Sequence, residues 1–185
     1  MSFSIINGEL QQARQVASPN FDERPDNSPI DLLVIHGISL PPGEFGGLGI
    51  EQLFTNQLDA DEHPYYAEIE GLTVSAHVLI RRCGEVVQFV NFKHRAWHAG
   101  QSCFEGRNRC NDFSIGIELE GTDACPYEPV QYARLASLAA ALMQAYPGIT
   151  AQRVVGHSDI APGRKTDPGE AFDWGLFRQL LENQQ

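Results

Sequence analysis

Apolar residues fall into short runs through the first two thirds of the chain and recur at helical spacing in the last third. The run Ile30-Asp31-Leu32-Leu33-Val34-Ile35-His36-Gly37 is apolar up to a histidine and stops at glycine, which predicts a strand covered on both faces. Residues 74–80 and 85–91 flank Cys83-Gly84 and read as a hairpin. Residues 95–100 predict a short strand, and 113–120 a strand with clean alternation. Between 129 and 145, Ala133, Leu135, Ala136, Leu138, Ala139, Leu142 and Met143 repeat at helical spacing, and Tyr146-Pro147-Gly148 stops that helix. A short strand over 153–157 and a terminal helix over 174–181 complete the pattern. Strands that come both as a hairpin and separated by helices predict an α/β fold: a single domain with a central mixed β-sheet flanked by helices.

Two stretches lack periodicity. Residues 18–29 are polar and proline-rich and predict an extended surface arm. Residues 38–71 are loop-rich, with room for a short helix at 50–56, and the Gly46-Gly47-Leu48-Gly49 segment suggests a lid.

Charge narrows the partners. Asp and Glu number 24 against 13 Lys and Arg, a net charge of −11. A surface this acidic repels phosphate backbones, so nucleic acid and anionic membranes are excluded as expected partners. No apolar run approaches the ~18–20 residues of a membrane helix. Residues 1–9 carry neither a basic segment nor a long apolar one, so no secretory signal is expected. Cys83, Cys103, Cys110 and Cys125 are irregularly spaced without a C-x-x-C pair, which favours reduced thiols over a disulfide or a thiolate zinc site.

No H-E-x-x-H, G-x-S-x-G or P-loop is present. His36 and His157 each end a predicted strand, at the sheet rim where α/β folds bind ligands. A hydrogen-bonded histidine at a sheet end explains the position equally well. Asp167 follows His157 by ten residues, on a loop whose prolines and glycines fix its path. Two imidazoles and one carboxylate make a zinc set with an open fourth position, although Asp167-Pro168-Gly169 also reads as an ordinary turn. By parity Ser114, Gly116, Glu118 and Glu120 share one strand face, and Gly116 removes bulk beside Glu118. A carboxylate facing such a space suits a general base; a solvent-facing strand acid fits the same spacing. His77, in mid-strand, reads as a hydrogen-bonded core residue, and His94 and His98 as a pair that does not converge.

His36-Gly37-Ile38 through Gly47, Ser75-Ala76-His77, Arg95-Ala96-Trp97-His98-Ala99-Gly100, Asn111 through Gly121, and Gly156-His157-Ser158-Asp159 through Arg164-Lys165-Thr166-Asp167-Pro168-Gly169 carry a resemblance. From about Arg14 to Phe177 the chain resembles the type 2 N-acetylmuramoyl-L-alanine amidases, which share a fold with peptidoglycan recognition proteins. The resemblance implies one amidase domain over residues 1–185, with a catalytic core at about 30–177. It implies one Zn2+ per chain, held by His36, His157 and Asp167, with Glu118 and Lys165 as the catalytic pair. The bond cleaved would be the amide between 1,6-anhydro-N-acetylmuramic acid and L-alanine of muropeptides, in cytoplasmic cell-wall recycling by a monomer. Arg107 and Arg109 are candidates for the stem-peptide carboxylates, Arg109 in particular from the resemblance, and Trp97 and His98 for lining the groove. The competing readings are a recognition module without turnover and a lytic amidase acting on intact cell wall.

Overall fold

The computed structural model describes residues 2–26 and 28–184. Four short strands come first: β1 (Ile5–Ile6), β2 (Glu9–Leu10), β3 (Arg14–Gln15) and β4 (Phe21–Asp22). The long strand β5 (Leu32–Ile38) leads to helices α1 (Gly49–Phe54) and α2 (Pro64–Glu68), then to the hairpin β6 (Val78–Ile80) and β7 (Val86–Gln88). Short strands β8 (Arg95–Ala96), β9 (Cys103–Phe104) and β10 (Arg107–Asn108) precede the second long strand, β11 (Ser114–Glu120). The chain ends with α3 (Pro129–Ala145), β12 (Val154–Gly156), α4 (His157–Ile160) and α5 (Trp174–Glu182).

The central sheet has six strands in the order β12-β5-β11-β6-β7-β3. Pairing is parallel throughout except between β6 and β7, the predicted hairpin. The mixed α/β sheet flanked by helices is the fold expected from the element order. Both long strands are buried on two faces: α3 and α5 cover one, and loop segments together with Ile160 of α4 cover the other. Leu33 and Ile35 of β5 join Ile115, Ile117 and Leu119 of β11 in a core with Leu135, Leu138 and Leu142 of α3 and Phe177 and Leu181 of α5. The alternate residues turn to the other face. There Leu32 and Val34 pack with Ala99, Cys110 and Phe113, and α1 supplies Ile50, Leu53 and Phe54 to a separate cluster. Strand parity thus sends His36 and Glu118 to the face away from α3, and the register sets them side by side.

The proline-rich arm is not confined to the surface as predicted. Ser18 and Asn20 are buried; Ser18 Oγ donates to the Phe54 carbonyl, and Asn20 Nδ2 to those of Phe54 and Val74. Arg24 reaches inward and donates to the carbonyls of Asn111, Asp112, Phe92 and Ser114. Polar side chains let this segment satisfy buried carbonyls that no strand pairs, a role that hydropathy does not reveal. Asn27, within the arm, lies outside the described residues. The glycine segment over 46–49 is tethered: Glu120 accepts from the Gly46 N–H at 2.6 Å, and Arg81 donates to the Gly47 carbonyl at 3.0 Å. Of the loop before it, Ser39, Leu40, Pro42 and Gly43 line the large cavity described next. No helix among the described residues is long and apolar enough to cross a membrane.

Candidate metal centre and groove

Three neighbouring backbones deliver the central side chains. His36 sits near the end of β5, where the apolar run stops. His157 begins α4 directly after β12, which pairs with β5. Asp167 lies on the loop after α4, a path held by the Asp167 carbonyl accepting from Ser158 N–H (3.0 Å) and by Tyr127 Oη donating to the Pro168 carbonyl (2.9 Å). Gly37 and Gly121 make room for the Tyr127 ring: a Cβ at either would overlap it.

His36 Nδ1 is 3.0 Å from His157 Nδ1, and each lies 3.1 Å from Asp167 Oδ2. Among the described residues this is the one group of three or more ligating side chains able to hold a metal ion. The donor chemistry fits a cation. The Nε2 of His157 faces the Ala99 carbonyl at 3.2 Å, an acceptor only. Its proton therefore belongs on Nε2, and a lone pair on Nδ1 points at the other two atoms. Burial lowers the His36 pKa to about 4 against the pull of Asp167, which keeps that ring neutral near pH 7. Burial alone would raise Asp167, but the imidazoles of His157 and His36 hold its carboxyl far below the ordinary range. Two imidazoles and a carboxylate facing one another at 3.0–3.1 Å match the spacing of roughly 3.3 Å that tetrahedral zinc bonds of ~2.0–2.1 Å require.

The trio opens onto a cavity of about 660 Å³. Glu118 and Lys165 line it beside the trio. Glu118 is buried, and its Oε2 has no hydrogen-bond partner. Burial, and then the nearby Asp167 charge, push its pKa well above the usual carboxylate value, with Lys165 opposing. Lys165 is exposed, and its side chain makes no hydrogen bond or ion pair among the described residues. Leu53, Tyr65, Ile69, Leu72 and Val74 form an apolar wall along the groove.

The candidate substrate residues separate. Trp97 lines the cavity and donates from Nε1 to Asp22 Oδ1 at 3.1 Å. His98 also borders it, but its Nδ1 sits 2.9 Å from His36 Nε2. Arg107 stacks 3.7 Å over Phe113 and pairs with Asp31 at 2.6 Å; neither it nor Arg109 lines the cavity. Arg109 is 70% exposed, with one long contact to Asp112 at 3.5 Å. His77 is fully buried and accepts from the Gly116 N–H at 3.0 Å, in keeping with a core role. His94 stacks on Phe21, apart from the trio.

The space that Gly116 leaves is filled rather than open. A Cβ there would stand 2.5 Å from Cγ of His98, so the glycine seats this ring beside His36. Sequence reading did not reach Tyr127 or the contact between His98 and Ser114; the glycines at 37, 116 and 121 are the trace these rings leave in the sequence.

Comparison with known proteins agrees with this arrangement. The sequence profile of the N-acetylmuramoyl-L-alanine amidase family matches residues 26–170. The 1,6-anhydro-N-acetylmuramyl-L-alanine amidase AmpD of Escherichia coli (strain K12) is 59% identical over 180 residues, 97% of this chain and 98% of that protein. A crystal structure of a selenomethionyl AmpD derivative superposes with a TM-score of 0.93 at 58% identity, covering 96% of this chain and 98% of the other. AmpDH3 of Pseudomonas aeruginosa, solved in complex with anhydromuramic pentapeptide, matches with a TM-score of 0.60 at 31% identity, over 82% of this chain and 59% of its own. With a matching profile over most of its length and relatives this similar from end to end, the chain belongs to the N-acetylmuramoyl-L-alanine amidase family.

Proposed function

We propose that this protein is a zinc-dependent amidase that hydrolyses the amide between 1,6-anhydro-N-acetylmuramic acid and L-alanine of muropeptides, in the cytoplasmic recycling of cell wall. The observation that carries the reading is the meeting of His36, His157 and Asp167 in a groove that is also lined by Glu118, a buried carboxylate with one unpartnered oxygen. The relatives' activity supports the substrate. Four free cysteines accord with a reducing compartment.

His36 and His157, through their Nδ1 atoms, and Asp167 through Oδ2 would hold the zinc, whose donor set of two imidazoles and a carboxylate suits that ion. Bound zinc supplies Lewis acidity: it polarises a carbonyl and makes a water nucleophilic near neutral pH. Glu118 takes the proton of the attacking water on its free oxygen and hands it to the leaving alanine nitrogen. For this it must begin ionised, which the cation of the site and Lys165 favour against burial. Lys165 places its ammonium against the negative charge that develops on the scissile carbonyl oxygen. The apolar wall from Leu53 to Val74 and the Trp97 ring orient the ligand and exclude water. Arg109, exposed and without a close partner, is the arginine left available to a stem carboxylate, whereas Arg107 is committed to Asp31 and Phe113.

Incubating zinc-loaded protein with an anhydro-muropeptide and following it by mass spectrometry tests the proposal. Free peptide and the anhydro-sugar are expected, together with about one zinc per chain by elemental analysis. An unchanged ligand that nevertheless binds would point to a recognition module, and faster release from intact sacculi than from anhydro-muropeptide would point to a lytic amidase; either result overturns the reading.

A further inference from the structure

Each histidine of the trio has a second ring nitrogen that must also find a partner, and the two solve this differently. His157 Nε2 meets the Ala99 carbonyl at 3.2 Å, nearer than the Arg164 guanidinium at 3.5 Å, and the carbonyl calls for a proton on that nitrogen. His36 Nε2 meets another imidazole: it is 2.9 Å from His98 Nδ1, and His98 Nε2 is 3.1 Å from Ser114 Oγ. An imidazole can donate or accept at that nitrogen, so the direction of this contact is not fixed by His36 alone. If His98 donates, His36 must carry its proton on Nδ1, and it has no lone pair to offer the centre. If His98 accepts, His36 holds its proton on Nε2, and Nδ1 is free to ligate. Acceptance at Nδ1 leaves the His98 proton on Nε2, where the hydroxyl of Ser114 lies within reach. The packing is built for this ring. Gly116 gives up its Cβ to admit it, the ring stands edge-on to His36 at 5.0 Å between centroids, and Ser114 projects from the same face of β11 as Gly116.

On the zinc reading above, we propose that His98 is a positioning residue: it accepts the His36 Nε2–H, passes its own Nε2–H to Ser114 Oγ, and thereby holds His36 in the tautomer and orientation that bind the metal. Partners of this kind commonly change metal affinity by 10–100-fold when removed. The role differs from a substrate contact, which would leave metal affinity alone.

The measurement is zinc affinity by competition with a chromophoric chelator, on the full chain, for the parent, His98→Leu and His98→Asn. Leucine and asparagine share a shape, but only asparagine offers an acceptor, Oδ1, in the place of Nδ1. We expect His98→Leu to weaken zinc by about 10–100-fold and His98→Asn to recover most of it, while the two metal-stripped variants melt together. Equal affinity in all three proteins overturns the proposal, as does asparagine no better than leucine; a rise in KM with unchanged zinc affinity would make His98 a substrate contact instead. Should His98→Leu fail to fold, Ser114→Ala carries the test, with a several-fold loss of zinc expected and no change refuting the relay. A parent that binds no zinc refutes the metal reading itself, an outcome separate from all of these.

Discussion

Replacing Gly116 by alanine sets two effects of opposite sign against each other. Glycine inside a strand costs about 0.5–1 kcal/mol of backbone entropy relative to alanine, so propensity alone predicts that the variant is more stable. The structure predicts the reverse. The new methyl would stand 2.5 Å from Cγ, 2.6 Å from Nδ1 and 2.8 Å from Cδ2 of His98. Carbon atoms rest at ~3.5–4.0 Å, so the ring must retreat by about 1 Å. It is held by contacts of 2.9 Å to His36 and 3.1 Å to Ser114, and a retreat of that size takes both beyond hydrogen-bond range. Overpacking costs roughly 1–3 kcal/mol and each lost hydrogen bond about 1, for a net destabilisation of about 2–4 kcal/mol after the entropy gain. In a domain of this size that lowers the melting temperature by roughly 5–15 °C. Thermal melting of the metal-stripped protein measures it. The same substitution made beside His98→Ala should cost under about 0.5 kcal/mol, because the methyl then enters vacated space and the two changes are not additive. An equal cost in both backgrounds, or a stabilised single variant, would refute the assignment of Gly116 as the seat of the His98 ring.

Lys165→Ala should retain zinc while kcat falls on the order of 10²–10³, the scale of one lost oxyanion-stabilising group; near-normal turnover in the muropeptide assay would remove Lys165 from its assigned role. Glu51 provides a test at acid pH. Hydrogen bonds from Arg14, opposed by burial and joined by hydrogen bonds from Arg81, hold its pKa down at about 2 from an ordinary 4.5. A carboxyl depressed on folding adds stability that is present above 4.5 and is lost as pH falls through that window toward 2. Urea unfolding should therefore show Glu51→Gln less stable than the parent at pH 7, with the gap narrowing between pH 4.5 and 2; parallel curves through that range would count against the ion pairs.

The amino-acid sequence by itself determined the longer strands and the two longest helices, because periodicity is a local property; the two-residue edge strand β3 and the short helices α2 and α4 carry too few residues to show one. The alternation along Ser114–Glu120 and the helical spacing over Pro129–Ala145 need no partner to be read, and both elements stand where predicted. Parity likewise placed Glu118 opposite the Ile115, Ile117 and Leu119 face, whichever strands lay alongside. The tertiary structure alone decided what met across the sheet. His36 and His157 are 121 residues apart, and their Nδ1 atoms come to 3.0 Å only because β12 pairs with β5 in parallel. The same holds for Arg24, Tyr127 and His98, whose partners are a carbonyl or a ring distant in the chain and carry no periodic mark. Ser18, Asn20 and Arg24 depart from the surface arm expected over residues 18–29 for a related reason: hydropathy scores such side chains as exposed, whereas a buried carbonyl without a strand partner requires a polar group to come to it.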